Sequence, residues 1–128
     1  MERANPTERK VSVLVVEDES LILEMVSEAL AERGFDVYAV ANATEALCHL
    51  DAGAAIDVLF TDINLPGMDG LTLATRARQM RPALPVVYAS ARIDAMRSGV
   101  AVPGSRFVPK PYDTARICDL LDHVAERH

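Results

Sequence analysis

The chain has 128 residues, of which half are apolar, and this is enough to form the core of one domain. Its formal net charge of −6 argues against a nucleic-acid-binding surface, because phosphate contacts need clustered Lys and Arg. No apolar run reaches the roughly 18 residues that span a bilayer, and the charged start "MERANPTERK" lacks the apolar segment of a signal peptide. We therefore expect a cytoplasmic protein that binds neither membranes nor, directly, nucleic acid.

Strand-like and helix-like patterns alternate along the chain. Short β-branched runs such as "VSVLVV" predict strands, and apolar residues at helical spacing, as in "SLILEMVSEALAER", predict amphipathic helices. In chain order we predict strand 11–16, helix 20–33, strand 35–40, helix 42–50, strand 56–61, helix 71–80, strand 85–90, a short or mobile helix in 91–100, strand 105–109, and a last helix capped by Asp113.

This alternation is typical of right-handed βαβ units around a parallel sheet. We predict an α/β fold, a (βα)5 doubly wound domain in which helices cover both faces of a five-stranded parallel sheet. The runs at 11, 56 and 85 are the most continuously apolar and should be central, whereas "FDVYAV" alternates and suits an edge. The domain should span 11–127, after a flexible N-terminal tail of residues 1–10.

Polar side chains follow the predicted strands at the ends that should meet along one edge of the sheet. Glu17, Asp18 and Glu19 follow the first strand, Asp62 ends the third, Ser90 ends the fourth and Lys110 follows the fifth. Lys110 is one of only two lysines, against eleven arginines, so its place in this group suggests a chemical role.

Carboxylates packed this closely repel one another unless a cation joins them. Hard oxygen ligands without His or thiolate suit Mg2+, which often shares its site with a phosphate. We therefore expect this site to bind a phosphoryl group beside Mg2+, Lys110 and a hydroxyl. Asp62 could serve as a nucleophile that becomes an aspartyl phosphate.

Four motifs in this order resemble the receiver domain of two-component response regulators, over nearly all of 11–124. They are "ED" after the first strand, "DINLPGMDG" around Asp62, Ser90 followed by a small residue, and the "KP" of Lys110 and Pro111. The resemblance implies the flavodoxin-like strand order 2-1-3-4-5. It also implies Mg2+, or Mn2+, as the cofactor.

The resemblance implies a role for each site residue. Asp62 would be the phosphoacceptor, and it would ligate the metal together with Asp18 and the main-chain carbonyl of Asn64, while Glu17 would act through a water. Lys110 would pair with Asp62 and later with a phosphoryl oxygen, beside a cis peptide bond to Pro111. A solvated acidic loop and a lone surface lysine are the alternatives, and Asp69 is expected only to cap the third helix.

The resemblance also implies a conformational switch. Ser90 would bond a phosphoryl oxygen, and its movement would let the ring of Phe107 swing inward. A core phenylalanine that never switches is the alternative. Because Phe107 lacks a hydroxyl, we predict an inward bias even without phosphate. Asn64 and Arg92 occupy the positions that tune dephosphorylation in this family.

The predicted function is that of a single-domain, chemotaxis-regulator-like receiver, which accepts a phosphoryl group from a sensor histidine kinase or a histidine phosphotransfer protein. It would be a signalling domain rather than an enzyme, and it would switch a face formed by the predicted fourth and fifth helices and the fifth strand. That face would bind a downstream protein target or a second copy of the phosphorylated chain. The alternatives are a pseudo-receiver that only binds, and an aspartyl-phosphate phosphohydrolase, which would need an acid where Asn64 stands.

Overall fold

The computed structural model describes residues 10–91 and 101–125, which contain five strands and four helices. In chain order these are β1 (Ser12–Val16), α1 (Ser20–Glu32), β2 (Asp36–Val40), α2 (Ala43–Asp51), β3 (Val58–Asp62), α3 (Gly70–Met80), β4 (Val86–Ser90), β5 (Arg106–Pro109) and α4 (Thr114–Ala125). Nearly all of the helix expected in 91–100 lies outside the described residues, as does most of the expected tail. Helix α4 is therefore the fifth helix of the sequence prediction.

The five strands form one parallel sheet in the order β2-β1-β3-β4-β5, which confirms the predicted fold. Strands β1, β3 and β4 are buried along their whole length, whereas β2 and β5 lie at the edges and are partly exposed. The continuous apolar runs thus became the central strands, because both of their faces are covered by helices.

Alternate residues of the central strands contribute to two separate cores. Leu14, Leu59 and Tyr88 pack on one face against α2 and α3. On the other face, Val15 and Phe60 pack against α1 and α4. This period of two is what a parallel sheet covered on both sides requires. None of the helices in the described part of the chain is long and apolar enough to cross a membrane.

Local side-chain bonds fix the start of three helices. The carboxamide or carboxylate oxygen accepts a hydrogen bond from a backbone N–H two or three residues later, at Asn42 for α2, Asp69 for α3 and Asp113 for α4. Helix α1 begins after Glu19, whose side chain makes no capping bond. The side chain of Glu19 is therefore not a cap of α1.

Candidate functional site at the carboxyl edge of the sheet

The predicted site residues meet where β1, β3, β4 and β5 end. Glu17 and Asp18 follow β1, while Asp62 and Ser90 are the last residues of β3 and β4. The backbone N–H of Lys110, just beyond β5, donates to the carbonyl of Ser90 at 3.0 Å. The parallel register therefore carries all of these side chains to one edge, as expected for a doubly wound sheet.

Three carboxylates form an acidic group in this crevice. Glu17, Asp18 and Asp62 each offer one oxygen, and these oxygens all lie within 4.8 Å of one another. Glu17 and Asp62 are 2% and 5% exposed, while Asp18 lies open to solvent. Such a set of hard oxygen donors, partly buried and open on one side, fits a divalent cation such as Mg2+.

Lys110 links the two buried carboxylates. Its Nζ lies 2.8 Å from Asp62 Oδ2 and 3.4 Å from Glu17 Oε1. Burial acts to lower the pKa of Lys110, but the hydrogen bond and charge of Asp62, together with the charge of Glu17, hold that pKa above its ordinary value. The ammonium thus stays charged and offsets part of the negative charge. The peptide bond between Lys110 and Pro111 is cis.

Both oxygens of the Glu17 carboxylate accept hydrogen bonds. The Tyr112 hydroxyl donates to Oε1 at 3.1 Å, and the backbone N–H of Glu19 donates to Oε2 at 3.1 Å. Burial and then the charge of Glu17 raise the pKa of the Tyr112 phenol, so the hydroxyl keeps its proton and remains a donor. The sequence reasoning missed Tyr112, although its place directly after the "KP" motif was a signal that it belongs to this edge.

The backbone around Asp62 is tightly enclosed. Asp62 Oδ1 accepts a hydrogen bond from the N–H of Asn64 at 3.2 Å, and the Thr61 hydroxyl donates to the Asp62 carbonyl at 2.9 Å. A Cβ added to Gly70, the first residue of α3, would lie 2.1 Å from that same carbonyl oxygen. Gly70 is a second residue that the sequence reasoning missed as part of the site, because only the packing of α3 against β3 reveals it.

The predicted switch residues lie next to this group. Ser90 is buried at the end of β4. The ring of Phe107 is partly buried and lies 5.0 Å, centroid to centroid, from the ring of Tyr88, which is fully buried. Asn64 is exposed on the loop after β3. Arg92, predicted to tune dephosphorylation, lies outside the described residues.

Comparison with known proteins identifies the family. Residues 13–122 match the model of the response regulator receiver domain. The DNA-binding transcriptional regulator NtrC of Salmonella typhimurium is 35% identical over 118 residues, which are 91% of this chain and 25% of NtrC. The sensor kinase CckA of Brucella abortus is 28% identical over an alignment that covers 99% of this chain and 14% of CckA. The chain thus spans a quarter or less of the length of these relatives.

A solved structure agrees with this match. The response regulator receiver protein of Sinorhizobium medicae superposes with a TM-score of 0.86 at 31% identity, over 93% of this chain and 97% of that chain. Receiver domains are phosphoacceptor signalling domains of two-component systems, and they bind Mg2+ at an acidic pocket. By its family match, its strand order and its acidic edge, this chain belongs to the response regulator receiver domains.

Proposed function

We propose that Asp62 accepts a phosphoryl group from the phosphohistidine of a sensor histidine kinase or a histidine phosphotransfer protein. The observation that carries this proposal is the ammonium of Lys110, which lies 2.8 Å from Asp62 within the acidic group. A buried carboxylate held by a lysine at the open edge of a sheet has the partner that a transferred phosphoryl group needs.

In the proposed reaction, one Asp62 oxygen forms a bond to phosphorus while the phosphorus–nitrogen bond of the phosphohistidine breaks and the imidazole leaves. Lys110 then exchanges its bond to Asp62 for one to a phosphoryl oxygen, and the Ser90 hydroxyl donates to another. Mg2+ or Mn2+, held by Asp18, Asp62 and the main-chain carbonyl of Asn64, and through a water by Glu17, would neutralise charge on the phosphoryl oxygens.

The burial of the site supports this assignment. Glu17 and Asp62 are almost fully buried, so the attraction between Lys110 and an incoming phosphoryl group is screened less than it would be on an open surface. Asp18 is exposed, which leaves the pocket open to a metal ion and to a donor protein. Asp62 is thus buried, while the pocket beside it stays accessible from solvent.

The signal would leave the site through β5. Ser90 and Lys110 are joined by a backbone hydrogen bond, and Phe107 lies on the same strand, three residues before Lys110. A cavity of about 320 Å³ between β5 and α4, lined in part by Phe107 and Leu120, borders the face that we propose binds a downstream protein or a second copy of the chain. Cytoplasmic location is part of this proposal.

Intact mass spectrometry after incubation with Mg2+ and acetyl phosphate tests the proposal. The wild type should gain one phosphoryl group per chain, and Asp62→Asn should gain none. Asp69→Asn is the matched control, because Asp69 lies on the same loop but caps α3, and it should be labelled like the wild type. Equal labelling of wild type and Asp62→Asn would show that Asp62 is not the phosphoacceptor.

Two other outcomes favour the alternatives. A wild type that stays unlabelled by acetyl phosphate and by phosphohistidine donors is a pseudo-receiver. Steady turnover of a small phosphate ester, instead of labelling that stops at one group per chain, would favour a phosphohydrolase.

A further inference from the structure

Tyr112 is anchored at the acidic edge by three contacts. Its hydroxyl donates to Glu17 Oε1 at 3.1 Å, and its ring lies 5.8 Å from the ring of Phe60, which is buried in β3. Lys110 Nζ lies 5.9 Å from the centroid of the same ring. The phenol is therefore held by the core on one side and presents a fixed donor to Glu17 on the other.

Glu17 has little freedom left to reorient. An ionised carboxylate offers about four lone-pair positions, and here three of them face Tyr112, Lys110 and the N–H of Glu19. Lys110 lies closer to Asp62, at 2.8 Å, than to Glu17, at 3.4 Å. When Lys110 moves to a phosphoryl oxygen, Tyr112 still holds Oε1.

The length of the Glu17 side chain makes this bond necessary. A glutamate has one more rotatable bond than an aspartate, so its carboxylate needs an additional contact to keep one position. An aspartate is shorter by one carbon–carbon bond of about 1.5 Å and would not reach the Tyr112 hydroxyl from the same backbone. Glu17 and Tyr112 therefore act as a matched pair across β1 and the segment after β5.

We propose that Tyr112 is a positioning residue, whose hydroxyl fixes the Glu17 carboxylate and thereby sets the affinity of the acidic group for a divalent cation. This inference rests on the proposed function, since it assigns Glu17 to the metal site. Partners that orient metal-binding side chains commonly change metal affinity by about 10- to 100-fold when they are removed. Because Glu17 would reach the ion through a water, we expect about the lower end of that range.

The test is a titration of the unphosphorylated full chain with Mn2+, in which electron paramagnetic resonance reports the free ion. Tyr112→Phe removes one oxygen atom and should raise the dissociation constant about tenfold. Tyr38→Phe is the matched control, because Tyr38 lies on the edge strand β2 with its ring against His49. It should change the constant by less than about twofold, which is below the effect of losing such a partner.

A double-mutant cycle shows whether Tyr112 acts through Glu17. In the Glu17→Asp background the hydroxyl has lost its partner, so adding Tyr112→Phe should change the dissociation constant by less than about twofold. A tenfold loss in both backgrounds would mean that Tyr112 acts by another route, and the inference would be wrong. The cycle also excludes a merely structural role, because a loosened core would weaken binding in either background.

Failure of this inference is distinguishable from failure of the proposed function. If the wild type binds Mn2+ and is labelled at Asp62, but Tyr112→Phe binds Mn2+ equally well, only the role of Tyr112 falls. If the wild type neither binds Mn2+ nor is labelled, both fall. Should Tyr112→Phe not fold, fluorine NMR of wild type carrying fluorotyrosine replaces it, and a Tyr112 resonance unmoved by Mg2+ overturns the inference.

Discussion

Gly70→Ala tests how closely α3 approaches the end of β3, where Asp62 lies. The new Cβ would lie 2.1 Å from the Asp62 carbonyl oxygen and 2.9 Å from Ile63 Cα. Both are backbone atoms, so no side-chain rotation relieves the overlap. The N–H of Gly70 donates to the Ile63 carbonyl at 2.8 Å, and a shift of about 1 Å to restore contact would also break this bond.

Three terms set the change in the free energy of unfolding, and the third opposes the first two. Overpacking a rigid contact costs about 1–3 kcal/mol. Loss of the hydrogen bond adds about 1 kcal/mol. Alanine is the better helix former by about 1 kcal/mol, which acts in the opposite direction. The free energy of unfolding should therefore fall by about 1–3 kcal/mol, whereas helix propensity taken by itself predicts a gain, so the sign is diagnostic.

Urea unfolding followed by circular dichroism measures this change. With a slope of about 1.5 kcal/mol per molar urea, the midpoint should fall by about 0.7–2 M. Gly53→Ala is the control, since Gly53 has φ +89° and no atom within 4 Å of an added Cβ. Gly53→Ala should lower the free energy of unfolding by only about 1 kcal/mol, which is the cost of placing a residue other than glycine in the left-handed conformation. A Gly70→Ala midpoint at or above that of the wild type would refute the close approach.

Three further predictions concern the charged and capping groups. Lys110→Met should lower the free energy of unfolding by about 3 kcal/mol, because it leaves buried carboxylates unpaired, and added Mg2+ should restore more thermal stability to it than to the wild type. Asp69→Ala should lower the free energy of unfolding, measured in urea, by about 1 kcal/mol, because the Thr72 N–H loses the Asp69 carboxylate as its acceptor. It should not reduce the labelling of Asp62. The pKa values of Lys110 and Tyr112 are both raised, so the fold binds both protons more tightly than the unfolded chain. Their stabilisation should be complete below about pH 10 and decline at higher pH, and the urea midpoint of Tyr112→Phe should decline less steeply.

The fold was predictable because its determinants are local and periodic. Continuous apolar runs identified β1, β3 and β4 as central strands, and caps such as Asn42 fixed helix starts within a residue or two. The meeting of Glu17, Asp62 and Lys110 followed from one rule, that parallel strands end at the same edge. None of these inferences required a distance between atoms of different helices or strands.

The contacts that escaped prediction depend on distances between elements. The bond from Tyr112 to Glu17 is set by the direction that the chain takes after Pro111, and no periodic pattern encodes it. The requirement for glycine at position 70 arises from how deeply α3 packs onto the end of β3. The acidic Glu19 contributes its backbone N–H to Glu17 rather than a side-chain cap, which composition does not predict either.

If Asp62 is phosphorylated as proposed, the change would have to reach Phe107 along the same edge of the sheet. Phe107 lies against Tyr88, whose hydroxyl accepts a hydrogen bond from the Val102 N–H at 3.2 Å and is thereby fixed in the core. One side of the Phe107 ring thus faces a buried ring, while Ser90 and Lys110 connect the strand of Phe107 to Asp62. Because packed interiors transmit strain rather than absorb it, movement of Ser90 toward a phosphoryl group would have to be accommodated along β5. The inward bias of Phe107 stays a prediction, and its physical reason is that the ring has an apolar partner in Tyr88 and no hydroxyl that would draw it to solvent.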